Sequence, residues 1–388
     1  MKRRNLLSCL SVLFLLFGLG LWGCTVTVAP TSEPAPPPVS AYPSPQPSQW
    51  EITGDATLFY DDLEPYGEWF RLDNYGWAWT PHDVPVDWRP YTNGRWAYTD
   101  YGWTWASDEE WGWAPFHYGR WLFDSRYGWV WLPGREWAPA WVTWRFGGGW
   151  VGWAPLPPGA GWEAGVSYDR SIRSDHWCFI EDRLFLDTNL RGSIILPARN
   201  VTLIRITANV TNYSVVQNRI VNRSLSVEQV ERMTRRQVNR LRVVESDSPR
   251  GVRGPRIRGN EFITYHPERT QGKEGRRIET PRPGERQPRG SSVTPPPPSQ
   301  EILRRQEADR RSFERDQEKK RAALGEEHKK ELSRPPSGTS REDLRRQHEA
   351  ERRALEDQLK AEKNVLEQRQ ERERKGELPR KERKEKAD

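Results

Sequence analysis

The chain has 388 residues and a net charge of +7, from 61 lysines and arginines against 54 aspartates and glutamates. None of its six histidines and three cysteines are spaced as metal ligands, so the sequence predicts no zinc framework and no bound metal or other cofactor. Twenty-one residues are tryptophan, and eighteen of these lie between Trp69 and Trp162. Tryptophan and charge are both unevenly placed, so the chain divides into regions of different character.

Residues 1–23 have the composition of a secretion signal, because a basic start is followed by an apolar run that is too short for a stable membrane span. The ending Leu21-Trp22-Gly23-Cys24 resembles the lipobox of bacterial lipoproteins. In that family the signal is cleaved before the cysteine, which then carries a lipid. The resemblance implies lipidation of Cys24, and an ordinary signal peptide is the alternative. In these lipoproteins an aspartate directly after the cysteine favours retention in the inner membrane. This chain has Thr25 there, so the resemblance implies an outer-membrane protein that faces the periplasm.

Residues 24–50 contain eight prolines, which prevent helix and sheet formation. We predict an extended tether here. At about 3.1 Å per residue it would hold the following domain roughly 80 Å from the membrane.

Residues 51–162 form a repeat region. The stretches YGWAWTP, YGWTWAS and YGWVWLP begin at Tyr75, Tyr101 and Tyr127, and each start lies 26 residues after the previous one. Aromatic residues alternate on both sides of a short polar turn, which is the spacing that places side chains on one face of a strand. A fourth unit of the same shape surrounds the turn Gly147–Gly149. The sequence therefore predicts a mainly β core of repeated hairpins that must pack on one another, since a lone hairpin is marginal in water.

The repeated indoles allow two interpretations. Each tryptophan can bury roughly 150–250 Å² and could replace the aliphatic residues that are scarce in this region. Alternatively, some rings remain exposed as platforms on which a glycan strand stacks. The candidate platform residues are Trp77, Trp79, Trp103, Trp105, Trp129 and Trp131.

The order of motifs in this region resembles a bacterial family with YXWGXW-type repeats, the domain of unknown function family 6600. The motifs are FYDDLEPYGEW, YGWAWTP, DWRPYTNGRWAYTDYGWTW, WGWAPFHYGRW, YGWVWLPG, WAPAWVTWR and VGWAPLPPG, over roughly residues 58–160. The resemblance implies a secreted or envelope-anchored protein. It implies no established activity.

Residues 163–242 are predicted as a mixed extension. VTLIRITANV, from Val201, alternates as a strand does, and SLSVEQVERMTRRQVNRL, from Ser224, has helical spacing with Ser226 and Gln229 as a capping box. Residues 243–300 are rich in arginine, proline and glycine, so we predict a basic disordered linker. Behind a lipoprotein signal, its accessible anions are cell-wall and envelope groups rather than nucleic acid.

Residues 301–388 are predicted as a charged helical tail with 27 lysines and arginines against 23 acids. Acidic residues precede basic ones at i,i+4 spacing, as in Glu349 and Arg353, and this supports isolated helices. Apolar residues recur every eleven positions in two sets that the break RPPSGTS separates. Two structures fit this pattern. One is a pair of solvated single helices. The other is a helical hairpin or coiled coil that binds a partner or a second copy. The two sets are Ile302, Phe313, Leu324 and Leu344, Leu355, Leu366.

No residue set identifies a reaction. His176 and Cys178 could form a thiol–imidazole pair, but a buried free cysteine is the simpler interpretation. The run Asp108–Glu110 is expected to be a solvated loop. The sequence therefore predicts a non-enzymatic lipoprotein of the bacterial cell envelope, a scaffold or interaction protein tethered through Cys24. Its expected contacts are the membrane and an envelope protein or cell-wall glycan, and the alternative function is a glycan- or peptidoglycan-binding module.

Overall fold

The computed structural model describes residues 55–161, 171–254, 256–267, 300–336 and 338–376. Within these residues the chain forms fifteen β-strands and five α-helices, and the ordered core is mainly β, as predicted. No described helix has the length and apolar character needed to cross a membrane. The predicted signal peptide, Cys24 and the tether lie outside the described residues.

All four predicted repeat units are antiparallel hairpins. In each of them a tryptophan of the first strand lies directly opposite a tryptophan of the second. These pairs are Trp69 with Trp79, Trp96 with Trp105, Trp121 with Trp131, and Trp144 with Trp153. The strands are β1 Gly67–Leu72 and β2 Gly76–Pro81, β3 Gly94–Thr99 and β4 Gly102–Ser107, β5 Arg120–Asp124 and β6 Gly128–Leu132, and β7 Val142–Gly147 and β8 Trp150–Pro155. A short helix α1, Tyr60–Leu63, precedes them.

The hairpins are shared among three sheets. The first and third hairpins join through Trp79 opposite Trp131, which gives the strand order β1-β2-β6-β5. The fourth lies in a sheet of order β10-β7-β8-β9, with β9 Cys178–Glu181 and β10 Ala208–Asn209. The second lies in a seven-stranded sheet of order β11-β12-β4-β3-β13-β15-β14. Its added strands are β11 Tyr213–Val216, β12 Arg219–Asn222, β13 Arg240–Ser246, β14 Ile257–Arg258 and β15 Glu261–Tyr265.

Indole rings form the core between these sheets. Trp96 packs against Trp144 at 4.3 Å between ring centroids, and Trp79 meets Trp111 edge-on at 5.1 Å. Such tilted and edge-to-face contacts are the preferred geometries of aromatic pairs. The core interpretation of the tryptophans is therefore confirmed for most of them. The fully buried indoles are Trp79, Trp103, Trp105, Trp121, Trp131, Trp141, Trp144, Trp153 and Trp177.

Gly102 shows why the repeat turns carry glycine. Its φ is +75°, a left-handed conformation that side chains disfavour. A Cβ at this position would lie 1.9 Å from the carbonyl oxygen of Asn222, because β12 passes beside the turn. The equivalent Gly76 has φ +81° and open space around it.

The strand predicted at Val201 is wrong over its first part. Asn200–Ile206 forms helix α2, and the strand β10 that follows contains only Ala208 and Asn209. The physical reason is tertiary: Asn200 and Leu203, three residues apart, are both buried, and Asn200 Nδ2 donates to the carbonyl oxygens of Ser174 and Trp177. These contacts override the β-propensity of the branched residues.

The helix predicted after Ser224 is confirmed but short. Helix α3 spans Val227–Thr234, and Ser226 caps it by accepting a hydrogen bond from the backbone of Gln229. Arg235 then adopts φ +56°, which ends the helix, and Leu241 belongs to β13 instead.

The linker predicted for residues 243–300 is wrong over its first part. Residues 243–267 contribute the end of β13 and all of β14 and β15 to the seven-stranded sheet. The arginines of this segment do not prevent this, because Arg250, Arg253 and Arg258 are exposed. Arg256 is buried, and its guanidinium donates to the backbone carbonyl of Glu110. Residues 268–299 lie outside the described residues.

The helical tail forms the hairpin that the sequence left as one alternative. Helix α4 spans Gln300–Ser333 and helix α5 spans Arg341–Arg374, with Ser340 as N-cap of α5. Leu324, Leu344, Leu355 and Leu366 are buried, so the eleven-residue spacing did mark the packed seam. We refer to α4 and α5 together as the arm, and to the described residues between 55 and 267 as the body.

Candidate functional site

Five of the six tryptophans predicted as a glycan platform are buried. Trp79, Trp103, Trp105 and Trp131 have no exposed surface, and Trp129 is 7% exposed. A ring without an open face cannot stack on a sugar. These five indoles are core residues because their strands turn the aromatic face inward, toward the neighbouring sheets.

Trp77 is the exception among the six candidates. It is half-buried and lies opposite the exposed Arg71 on β1, whose guanidinium carbon is 5.2 Å from the indole centroid. This is cation–π distance. One half-open ring flanked by an arginine is a much smaller surface than the predicted platform.

The His176–Cys178 pair is unsuited to nucleophilic chemistry. Both side chains are buried, and burial raises the pKa of the Cys178 thiol, which opposes formation of the reactive thiolate. Burial also lowers the pKa of His176 to about 4, although the neighbouring Asp175 acts in the opposite direction. Its ring packs against Trp129 at 4.6 Å between centroids. The interpretation of Cys178 as a buried free cysteine is confirmed.

The acidic run is only partly the solvated loop that the sequence predicts. Asp108 and Glu110 are exposed, but Glu109 is half-buried, and desolvation of its carboxyl group raises its pKa. The carboxylate of Glu109 accepts hydrogen bonds from Ser107 and from the indole of Trp88. Glu109 is therefore a structural anchor of the loop rather than a free acid.

The largest unpredicted arrangement is the docking of the arm on the body. Helix α5 contacts the turn between β5 and β6, where Asn364 donates to the backbone carbonyl of Ser125 at 2.9 Å. At one end of this contact the guanidinium of Arg372 lies 4.3 Å from the ring centroid of Tyr127 and pairs with Glu68 on β1 at 3.4 Å. A repeat tyrosine is thereby covered by the arm.

The other end of the contact is a group of charged residues around Arg199, which follows Pro197 in a 3-10 turn. Arg199 pairs with Glu327 at 2.9 Å and Glu331 at 2.7 Å on α4, and with Glu351 at 3.3 Å on α5. The carboxylate of Glu351 has no exposed surface and also accepts a hydrogen bond from Thr202 on α2. One arginine of the body therefore holds both helices of the arm.

Two histidines complete this group, which we call the Arg199 cluster: Arg199, Glu327, Glu331, Glu351, His328 and His348. His328 Nε2 lies 2.8 Å from Glu351, and His348 Nε2 lies 2.7 Å from Glu331. The apolar part of the same contact is small. It consists of Leu196 and Ala198 of the body with Leu324, Leu355 and Leu359 of the arm.

A cleft of about 380 Å³ lies between the arm and the loop Asp83–Asp87 of the body. Lys320 of α4 lies within it, 3.0 Å from Asp87 of the loop and 3.0 Å from Glu362 of α5. Phe313 and Leu366 add an apolar surface. The cleft thus carries both signs of charge and is built jointly by the arm and the body.

The described residues contain no group of three or more histidines, cysteines and acids that could hold a metal ion. The Arg199 cluster was missed at the sequence level because its members are far apart along the chain. The available signal was the two histidines of the tail, His328 and His348, which stand among charged residues.

The comparisons with known proteins concern the repeat region. The model of DUF6600, a family of unknown function, matches residues 60–160. These residues belong to DUF6600. The DUF6600 segment contains all eight strands of the four hairpins, so the resemblance found in the sequence is confirmed, and it ends before α2 and the arm. No curated protein and no solved structure matches the chain.

Proposed function

We propose that this chain is a non-enzymatic lipoprotein of the bacterial envelope, anchored to the outer membrane through Cys24. In this proposal the Trp-rich body is a rigid scaffold that carries the arm, and the arm is the surface that contacts other envelope proteins. The support for anchoring is the lipobox-like ending at Cys24 and the proline-rich segment that follows it.

The observation that carries the proposal is the character of the contact between arm and body. Ion pairs of arginine with glutamate and of lysine with aspartate recur along it, at Arg199, Lys320 and Arg372. Contacts of this polar kind resemble transient protein–protein interfaces and allow one part of a chain to move relative to another. The arm therefore has the properties of an element that exchanges its contact with the body for a contact with a partner.

Glycan binding is the second candidate function, and Trp77 is the observation that favours it. The half-exposed ring and the adjacent Arg71 could stack on a sugar and bond its hydroxyls. We rank it second because the five other candidate rings are buried. Fluorescence titration with muropeptides separates the two: quenching that disappears in Trp77→Ala would favour the glycan function.

The anchoring half of the proposal is tested by labelling cells with radioactive palmitate. We expect label on the mature protein, recovery in the outer-membrane fraction, and loss of both in Cys24→Ser. A soluble and unlabelled mature protein would contradict the anchoring.

The interaction half is tested with a photo-crosslinking residue at Lys319 or Arg311 of the arm, whose side chains are 76% and 67% exposed. Arg183 of the body, 65% exposed, is the matched control position. We expect protein adducts from the two arm positions in living cells and few from the control. Equal yields of protein adducts from all three positions would contradict the proposal that the arm is the surface that contacts partners.

A further inference from the structure

The three Tyr-Gly-Trp turns of the repeat region differ in what covers them. A Cβ at Gly102, in the second turn, would lie 1.9 Å from the backbone oxygen of Asn222 on β12. One at Gly128, in the third turn, would lie 3.3 Å from the side chain of Val365 on α5. At Gly76, in the first turn, no atom of the described residues would lie within 4 Å. The first turn is therefore the open member of three equivalent positions.

Each covered turn receives an arginine on its tyrosine ring. At the second turn, the guanidinium carbon of Arg219 from β12 lies 5.5 Å from the ring centroid of Tyr101. At the third turn, the guanidinium carbon of Arg372 from α5 lies 4.3 Å from the ring centroid of Tyr127. Both are cation–π distances. The tyrosine of a repeat turn is thus a position that later elements of this chain contact through arginine.

Each turn also contains an aspartate. Asp100 of the second turn pairs with Arg240 of β13 at 3.1 Å, and Asp124 of the third pairs with Arg126 of its own turn at 3.4 Å. Asp73 of the first turn is exposed, and no ion pair joins it to another described residue, although its charge acts on Arg126 from farther away. Among the three turns, the first therefore has the carboxylate that lacks a close cation.

The first turn presents a tyrosine face together with this carboxylate. Tyr75 is half-buried, and within the described part of the chain neither an aromatic ring nor a guanidinium stacks on it. Arg71 lies over Trp77 instead, 5.2 Å from the ring centroid. A guanidinium suits such a surface, because it stacks on aromatic rings and also pairs with carboxylates. The pattern of the other two turns and the chemistry of the first turn point to the same ligand group.

We propose that the first turn, residues 73–77, is a docking site for an arginine-containing segment of a partner protein. The partner's guanidinium lies on the ring of Tyr75 and pairs with Asp73, the two contacts that Arg219 and Arg240 share at the second turn. The arginines that β12, β13 and α5 supply are engaged at the other turns, so the first turn is matched to an arginine from outside. The site lies on the body, and the proposal requires neither the arm nor the lipid anchor.

Fluorine NMR of the full chain with 3-fluorotyrosine in place of Tyr75 tests this site. The probe is the peptide acetyl-Gly-Arg-Gly-amide, and acetyl-Gly-Lys-Gly-amide is the matched peptide of equal charge. We expect a saturable shift of the Tyr75 resonance, with about threefold weaker binding of the lysine peptide, because an ammonium group lacks the planar face that stacks on the ring. The same label in place of Tyr127, which Arg372 covers, should not respond.

Several results would overturn the proposal. One is the absence of a saturable shift at Tyr75, and another is an equal shift at Tyr75 and Tyr127. A Tyr75 resonance that moves with protein concentration alone would assign the turn to a second copy of this chain. A response that requires deletion of residues 268–299 would assign it to the chain's own arginines. A response to muropeptides without one to the arginine peptide would assign it to a glycan.

Two variants separate a specific site from general attraction of a cation. Asp73→Asn keeps a residue type that suits the turn but removes its charge, so it should weaken binding of the arginine peptide about threefold. Asp247→Asn removes an exposed carboxylate elsewhere on the body and should leave binding unchanged. The near-ultraviolet circular dichroism of both variants should match that of the wild type. Equal weakening in the two variants, or none in Asp73→Asn, would contradict the proposal.

Discussion

The body and the arm are held in place by opposite kinds of contact. Inside the body, nine fully buried indoles fill the space between three sheets, and directly opposed tryptophans fix the register of each hairpin. Between the body and the arm, one arginine contacts three glutamates, and a small apolar cluster of five residues lies beside it.

From this difference we expect a rigid body and a reversible contact between body and arm. Burial of aromatic surface is insensitive to pH, and its loss requires the sheets to come apart. Ion pairs and hydrogen bonds to carboxylates are exchanged for water at modest cost when the arm leaves, and their strength depends on protonation. We therefore expect the body to unfold as one unit and the arm to respond separately.

The largest effect should come from Trp79, which is fully buried on β2 and donates its indole N–H to the backbone carbonyl of Leu63 at 3.1 Å. Trp79→Ala should lower the free energy of unfolding by about 4 kcal/mol. The matched variant Trp77→Ala, two residues away on the same strand, should cost only about 1 kcal/mol because that ring is half-exposed. Urea unfolding followed by circular dichroism measures both. Equal losses of unfolding free energy in the two variants would show that burial does not determine how much each indole stabilises the fold.

The next effect concerns two equivalent glycines of the repeat turns. Gly102→Ala should cost about 3 kcal/mol, since the new methyl group meets the carbonyl oxygen of Asn222 in addition to the left-handed strain. Gly76→Ala has the same strain and open space, so about 1 kcal/mol is expected. Thermal unfolding of the two variants gives the comparison. A larger loss for Gly76→Ala would mean that β12 does not pass beside the second repeat.

A smaller effect, confined to the arm, is expected for Arg199→Ala. The change leaves Glu331 and Glu351 without their shared cation and should weaken docking by about 2 kcal/mol, equivalent to roughly 30-fold in the released fraction. Tryptic cleavage within α4 and α5 should accelerate accordingly while the body stays intact. Arg183→Ala removes an exposed pair with Glu181 and should change the rate by less than about threefold. Equal acceleration of tryptic cleavage in both variants would show that Arg199 stabilises docking no more than an exposed arginine does.

The repeat fold was predictable because its signals are local. Alternating aromatics around Tyr75, Tyr101 and Tyr127, each followed by glycine, specify the hairpins without information from distant residues. The placement of those hairpins in three different sheets was not predictable, since it depends on partners such as β12 and β13 that come more than a hundred residues later. The linker prediction failed for the same reason: Arg253 and Arg258 give the segment a linker-like composition, and only the pairing of β15 with β13 reveals the strand.

The arm shows what periodicity predicts and what it omits. The eleven-residue spacing identified the buried seam through Leu324, Leu344 and Leu355. It did not identify partners on the other helix, such as Glu356 of α5, which pairs with Arg321 of α4 at 2.8 Å. Neither did it identify Arg199, which lies in a different region of the chain. Helix existence is encoded locally, whereas the docking site is encoded by residues that the fold brings together.

Native-state hydrogen exchange of the full chain tests the separation of body and arm most directly. Amides in the middle of α5, around Leu355 to Leu366, should exchange through an opening whose free energy is several kcal/mol smaller than that for amides of β4 and β6. Equal free energies of opening for α5 and the central strands would contradict a releasable arm on a rigid tryptophan core.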